Sequence, residues 1–331
     1  MSVGYPIFPG FKPGKTYTVP PAPVRSPTWS FKESYKFQNF LQQAVSGRTT
    51  VTKYWSNPLR LFEWKYGYIK DNPIDHNSFF PAAIPSTDFD MLKGFFIGMQ
   101  GMGNEFAYTP PGYQSGGTWP VTAVSVTGSL VTFTATGAGT ALASKINYPV
   151  LALNTAIGAL NNQYMYVVST SGANTVVCSF TGASGSGGTA GCITVGNVLA
   201  SPDANYNVEL TYTTGSYPNL TGTSYAGTVV PVVESVQLID PTTLVVYDGN
   251  GLNITSDIST LAPPNSVTPP SVYAPYVGYV IEFGTFTPSA LPLTATYNMY
   301  FLCRFAEDMQ EWDNFMAACW LGTIKFGQQR I

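Results

Sequence analysis

Any chemistry in this chain has to come mainly from carboxylates, because it has a single imidazole. His76, in KDNPIDHNS, is the one histidine and reads as a solvated loop residue. A serine hydrolase needs a histidine base beside an activated serine, and no Gly-x-Ser-x-Gly turn surrounds any serine here. The His-Glu-x-x-His, P-loop and Gly-x-Gly-x-x-Gly patterns are also absent. Asp88, Asp90, Glu105, Glu307 and Asp308 could in principle flank a glycosidic bond, one acid protonating the leaving oxygen and another serving as base or nucleophile. Four of them have a plainer use. Asp88 and Asp90 fall in the first turn of a helix, where the backbone dipole favours negative charge. Glu307, Asp308 and Glu311 read as the polar face of a second helix.

Metal, phosphate and thiol chemistry fare no better. YDGNGLNITSD sets Asp248, Asn250, Asn253 and Asp257 close together, as a calcium loop would, but lacks the EF-hand spacing and its closing glutamate. Asp-Gly-Asn-Gly is the signature of a hairpin turn. GASGSGGTAG, Gly182–Gly191, resembles a phosphate loop only in its glycines, with no lysine and no helix after it, and reads as a hairpin tip. Cys178, Cys192, Cys303 and Cys319 contain no Cys-x-x-Cys pair, which argues against zinc or a redox dithiol. Cys178 and Cys192 flank the glycine loop and could face each other across a hairpin; reduced, buried thiols are the expectation for a cytoplasmic product. No catalytic, metal or cofactor residue is assigned.

Composition bounds the rest. Charged residues are 10% of the chain, against about a quarter in an average protein. Hydrophobic residues are 44%, so the low charge does not mean disorder. The formal net charge is −3 and no Lys/Arg run occurs, which disfavours wrapping nucleic acid. A surface so poor in charge is weakly solvated and points to assembly with other copies or partners. No apolar run approaches the ~20 residues of a membrane helix, and the first residues lack a hydrophobic signal core, so synthesis and assembly in the cytoplasm are expected.

The elements follow from periodicity. Residues 1–30 carry seven prolines and read as an extended arm that must lie on something, in an oligomer a neighbour. Arg48–Trp55 and Leu59–Ile69 read as the two strands of one hairpin, with Pro58 at the turn. In the second strand Phe62, Trp64, Tyr66 and Tyr68 share one face, and Leu61, Glu63, Lys65 and Ile69 the other. PSTDFDMLKGFFIGMQGMG predicts a helix over 87–101 with Ser86 or Thr87 as cap, stopped by Gly101 and Gly103. Its apolar residues run most of the way round, so it should be buried on both sides.

From Tyr113 to Pro202 the texture changes, with Lys145 the only charged residue. VTAVSVTGSLVTFTAT, MYVVSTSGANTVVCSFTG and GCITVGN alternate and predict four to six short antiparallel strands, an inserted β-module over 113–202. Its aromatics, Trp119, Phe133, Tyr148, Tyr164, Tyr166 and Phe180, sit mostly at alternating positions and are expected in its core, although exposed ones could stack on sugars. Strand texture resumes in NVELTYTT, ESVQLIDPTTLVVYDGNG, YVIEFGTFTP and TATYNMYFLCRF. EDMQEWDNFMAACW spaces Met309, Trp312, Met316 and Cys319 as a short helix would, with a strand through TIKFGQ just after it. The class is therefore mainly β with one or two α-helices: a core over 31–112 and 203–331 carrying the helix, with the module inserted.

The order of several short motifs resembles the distal tail proteins of long-tailed bacteriophages, in the version also found in gene transfer agents. They are RSPTWSF (Arg25–Phe31), QQAVSGR (Gln42–Arg48), the strand ending FEWKYGY, the helix DMLKGFFIGMQGMGNEFAY with its Phe-x-Tyr strand, the turn VYDGNG and the strand YFLCRFAEDM. Where that family continues the Phe-x-Tyr strand into Asp-Pro, this chain has Thr109-Pro110-Pro111, and segment 113–202 is extra. The resemblance implies a split-barrel or β-sandwich core like that of tail-tube proteins. It implies a structural virion protein in the tail: a ring, typically of six copies, closing the distal end of the tail tube and joining it to hub, baseplate and fibres, with DNA passing through the lumen without specific binding. It implies neither an enzyme nor a membrane protein. Arg48, Trp55, Trp64, Tyr66, Phe95, Phe96 and Arg304 are the candidates for the seam between copies, the aromatics serving either the core or that seam. The alternative is a receptor- or glycan-binding tail protein acting through the 113–202 module.

Overall fold

A computed structural model describes residues 5–8, 29–37, 39–43, 49–53, 58–70, 88–109, 116–180, 184–199, 201–204, 206–221, 224–262, 278–284, 290–316 and 319–329. It is mainly β, and the chain divides into two units: Gln114–Met299, and Ser2–Tyr113 together with Tyr300–Ile331. The second boundary, expected at 202/203, falls at 299/300.

In the discontinuous unit, strands β1 (Trp29–Lys36), β2 (Asn39–Gln43), β3 (Thr49–Lys53) and β4 (Leu59–Lys70) come first. The predicted β3–β4 hairpin does not form. β3 pairs with β2, from Asn39↔Lys53 to Gln43↔Thr49, and β4 pairs with β1, from Trp29↔Tyr66 to Lys36↔Leu59. The missed partners lie upstream, where β1 offers Phe31 and Glu33 opposite Trp64 and Phe62 and so completes the same aromatic face. The predicted alternation in β4 holds as far as its side chains are described: Phe62 and Trp64 are buried, Leu61 and Lys65 exposed.

Helix α1 (Asp88–Gly98) and strand β5 (Phe106–Tyr108) follow. The helix ends where Gln100 and Gly101 adopt φ of 56° and 59°. Gly101 is required on two counts, the positive φ and a Cβ that would meet Asp308 Oδ1 at 2.9 Å. Burial on both sides of α1 is not observed within this unit. Phe89 and Leu92 are buried, Phe95, Phe96 and Met99 half-buried, and Ile97 is 63% exposed.

The continuous unit opens with β6 (Thr118–Thr127), β7 (Leu130–Ala135), the short helix α2 (Ala138–Leu142), β8 (Pro149–Leu153), β9 (Gln163–Ser171), β10 (Thr175–Ser179), β11 (Gly185–Gly187) and β12 (Cys192–Thr194). The pairing β6-β12-β8-β9-β10-β7 returns to β6, so six strands close a barrel, with β11 on the flank of β6. Closure leaves the ring without free edges. Its interior is apolar and includes Val121, Phe133, Met165, Val167 and Ile193, with Leu142 of α2 in the same cluster.

The rest of the unit is β13 (Asn197–Val198), β14 (Asn207–Glu209), the long hairpin β15 (Thr211–Thr221) and β16 (Ser224–Ser235), β17 (Leu238–Ile239), β18 (Val245–Tyr247), β19 (Thr260–Ala262), β20 (Val280–Glu282) and β21 (Thr294–Thr296). It joins the barrel through polar contacts that composition does not reveal. Thr118 Oγ1 lies 2.8 Å from Thr194 Oγ1 and 3.1 Å from Thr294 Oγ1. Asn154 Nδ2 donates to the Gly249 and Leu291 carbonyls, both at 3.0 Å. β13, continuing from the barrel, pairs with β21. These contacts explain why 203–299 clusters with the module.

The chain returns to the first unit in β22 (Met299–Phe305), β23 (Trp312–Met316) and β24 (Cys319–Gln328). Where EDMQEWDNFMAACW suggested a short helix, residues 307–311 form a loop and Trp312–Met316 a strand. A strand there is paired on β24, which itself inserts between β4 and β22, and Trp312 covers Gly322, where a Cβ would stand 2.2 Å from the ring. Ladder hydrogen bonds and that close approach outweigh a helical spacing of four apolar residues. The sheet order is β1-β4-β24-β22, with β5 also on β22.

Candidate subunit interface

The core of the discontinuous unit is a cluster of rings. Phe62, Phe106, Tyr108, Phe301, Phe305 and Phe326 pack with centroids 4.5 to 6.3 Å apart. Phe8 lies on Phe95, Phe106, Tyr108 and Phe326. The Pro6 carbonyl accepts the Ala107 N–H at 2.8 Å, and the Phe8 N–H donates to the Ala107 carbonyl at 2.9 Å. Residues 6–8 of the arm therefore dock on their own chain; residues 9–28 lie outside the described ones.

The seam candidates separate accordingly. Trp64 is buried, and its Nε1 donates to the Tyr108 hydroxyl at 2.8 Å, which makes it core. Phe95 and Phe96 are half-buried, with Phe95 on Phe8, Phe106 and Phe305 and Phe96 on Phe305. Arg304 is partly exposed and holds Glu105 at 2.9 Å. Tyr66 lies on β4 opposite Trp29 and Gly322. Arg48, Trp55 and His76 lie outside the described residues.

The apolar side chains left at this unit's surface are mostly others: Tyr35 and Phe37 on and after β1, Phe40 and Val51 on the β2–β3 hairpin, Ile97 and Met102 at the end of α1, and Met309. Asp308 Oδ1 accepts the Met102 N–H at 2.8 Å and so ties the loop before Met309 to the end of α1. Among the described residues, β1 pairs only with β4, and the β2–β3 hairpin forms a sheet of its own. An isolated two-stranded sheet is marginal in water, and an open edge offers N–H and C=O groups to another chain.

Arg60 is a buried charge that the sequence did not announce. Arg60 is fully buried, on the same face of β4 as Phe62 and Trp64. It pairs with Glu33, donates to the Tyr35 hydroxyl at 3.2 Å, and lies 5.0 Å and 5.1 Å from the Tyr35 and Phe301 ring centroids. The alternation 60, 62, 64 was the signal available; an arginine stem and planar head can occupy an aromatic face. Replacing Glu33 by Gln keeps an oxygen for Arg60 but removes the countercharge. Glu33→Gln is expected to lower stability by about 2 kcal/mol, read as a shift in urea midpoint at unchanged slope. An unchanged midpoint would show that the pair adds nothing.

The acids considered for catalysis whose side chains are described have structural partners or lie exposed. Glu105 holds Arg304, Glu307 holds Lys325 at 2.9 Å, and Asp308 binds the Met102 amide. Glu311 and Asp90 are exposed, and the helix face predicted for 307, 308 and 311 is a loop. Asp248 Oδ1 accepts the Asn250 and Leu252 N–H groups at 3.0 and 2.8 Å while Tyr247 bridges to Asn253, so YDGNG forms the expected hairpin turn. Gly185–Gly187, within the expected hairpin tip, is a strand on β6.

Cys178 and Cys192 do not face each other: β10 and β12 are not neighbours, and the two thiols lie in different clusters. Burial pushes both up to about 12 and Cys303 well above its ordinary value, which leaves little thiolate at neutral pH. Among the described residues no group of His, Cys, Asp and Glu could hold a metal, and no helix is long and apolar enough to cross a membrane.

No protein-family model and no curated protein matches this sequence.

Proposed function

We propose that this chain is a structural protein of a virion tail, in which copies close into a ring of six at the distal end of the tail tube. The ring would join the tube to hub, baseplate and fibres, with DNA crossing the lumen and touching no basic patch. The observation that carries this reading is the open construction of the discontinuous unit. Among the described residues β1 has β4 as its one partner strand and β2 and β3 pair only with each other; that edge, that hairpin and the exposed Phe37, Phe40, Val51 and Ile97 are what a neighbouring copy would cover. Head-to-tail contacts of this kind close by rotation into rings, and a ring abolishes the sheet edges that one copy leaves open. The low charge content of the chain suits a surface that is largely hidden in an assembly.

Negative-stain microscopy and light scattering of the purified full chain test it. Six-fold rings are expected, and a monomer at every concentration would count against the reading. Ile97, at 63% exposure, lends itself to a separating variant. Ile97→Glu should disperse rings into single copies while leaving the melting temperature of the dispersed chain unchanged, since the charge enters water and not the core.

A further inference from the structure

The barrel carries a second exposed surface. Leu130, Ile146, Tyr148, Tyr164, Tyr166 and Val168 are all exposed large apolar side chains. The registers place Leu130 and Tyr166 in one row across β7, β10, β9 and β8, Leu130 opposite Ser179, Ser179 opposite Tyr166, and Tyr166 opposite Pro149, with Tyr164 and Val168 on the same outward face of β9. The Tyr148 carbonyl accepts the Val167 N–H at 3.0 Å, which sets Tyr148 beside the same strand. The expectation that the module's aromatics are mostly core holds for Phe133, fully buried, and fails for these three tyrosines. A six-stranded barrel has room inside only for close-packed side chains. Met165 and Val167 occupy it, so alternation turns Tyr164 and Tyr166 outward.

We propose that this outer face of the barrel is a binding platform for a neutral carbohydrate. Tyrosine offers a flat apolar face for the C–H side of a sugar ring and a hydroxyl for its polar rim, at the entropic cost of two side-chain torsions. Tyr164 and Tyr166 stand two strand residues apart, about 7 Å, on a strand whose alternate residues are locked in the barrel interior. Exposed Asn147, Asn162 and Gln163 supply amide donors and acceptors around them.

Charge selects the class of ligand. Lys145 is the only charged residue between 113 and 202, and its ammonium lies 4.9 Å from the centroid of the Tyr148 ring. An anionic polymer would find one cation, already placed on an aromatic face, and a membrane surface would call for a cluster of basic residues. A neutral polysaccharide needs neither. The proposal stands on the barrel alone and does not need the ring.

The test uses the full chain in affinity electrophoresis through gels cast with a soluble β-glucan, a dextran and a galactomannan, and on an array of neutral bacterial cell-surface oligosaccharides. Retention by at least one is expected, insensitive to salt. Tyr164→Ala and Tyr166→Ala should each weaken it about tenfold or more, and Tyr166→Ala should do so with unchanged thermal melting because that side chain is 53% exposed. Tyr166→Phe should keep most of the affinity through the ring face. No retention anywhere on the panel would overturn the proposal. So would retention only by anionic polymers that salt abolishes. A change in oligomeric state on Tyr164→Ala and Tyr166→Ala, without sugar binding, would make the face a contact between proteins and equally overturn it. Ring formation is read separately by microscopy, so the two failures are distinguishable.

Discussion

Deleting residues 1–8 should unfold the discontinuous unit at markedly lower denaturant concentration than the intact chain requires. The reason is Phe8, which is 4% exposed and packs on four rings of the core, with centroids 5.1 to 5.8 Å away. Removing a buried aromatic side chain costs about 3–5 kcal/mol, part of it as the cavity left behind. The deletion also strips the Ala107 N–H and C=O of their Pro6 and Phe8 partners at a residue with no exposure, and orphaned buried backbone groups each cost about 1–3 kcal/mol. Phe8→Ala isolates the side-chain part and should cost about 3–5 kcal/mol by itself. Urea titration followed by far-ultraviolet circular dichroism reads both. A deletion variant as stable as the full chain would show that residues 6–8 merely rest on the surface. The proline-rich arm was expected to lie on something, in an oligomer a neighbour; its residues 6–8 lie on their own chain, so removing the arm would disturb fold and assembly together, and Ile97→Glu separates the two.

Trp64→Ala is the second large effect. Trp64 is 6% exposed, its ring centroid is 4.9 Å from that of Phe31, and its indole N–H is held by Tyr108. It also sits in the middle of the sheet, opposite Phe31 on β1 and Ile324 on β24. Loss of about 3–5 kcal/mol is expected, enough to consume much of the stability of an ordinary domain. Trp64→Phe should cost less, because the apolar ring remains and the hydrogen bond to Tyr108, about 1 kcal/mol net, is what goes. If Trp64→Ala expressed solubly at full stability, the aromatic face of β4 would have to be exposed.

The failures of sequence reasoning here have a common origin. In the Leu59–Lys70 strand, alternation identified which face is buried, since period 2 is a local property of an extended chain. It did not identify the partner strands, because any strand with a complementary face fits, and the choice of β1 and β24 is made by segments far apart in sequence. Trp312 and Met316 suited a helix or a strand; the ladder with β24 and the fit of Trp312 over Gly322 chose the strand. Arg60 sat on a face already read as aromatic, and only the approach of Glu33, Tyr35 and Phe301 made its burial tolerable.

The candidate surfaces divide along the same line. Ile97 was legible as apolar and helical, and so were the tyrosines of the Gln163–Ser171 strand as alternating. Whether each faces a core or solvent depends on how many layers cover the element, and on how much room a closed barrel leaves inside. By itself the sequence determined the mainly β class, the helix after residue 87, the short strands of the nearly uncharged stretch 113–202, the hairpin turn at Asp248 and the lack of recognisable catalytic motifs, all of them properties of local pattern and composition. Only the tertiary structure decided the strand partners, the closure of the barrel, the docking of Phe8 on its own chain and the exposure of Tyr148, Tyr164 and Tyr166, because each is an outcome of long-range packing, in which distant segments compete for the same buried space.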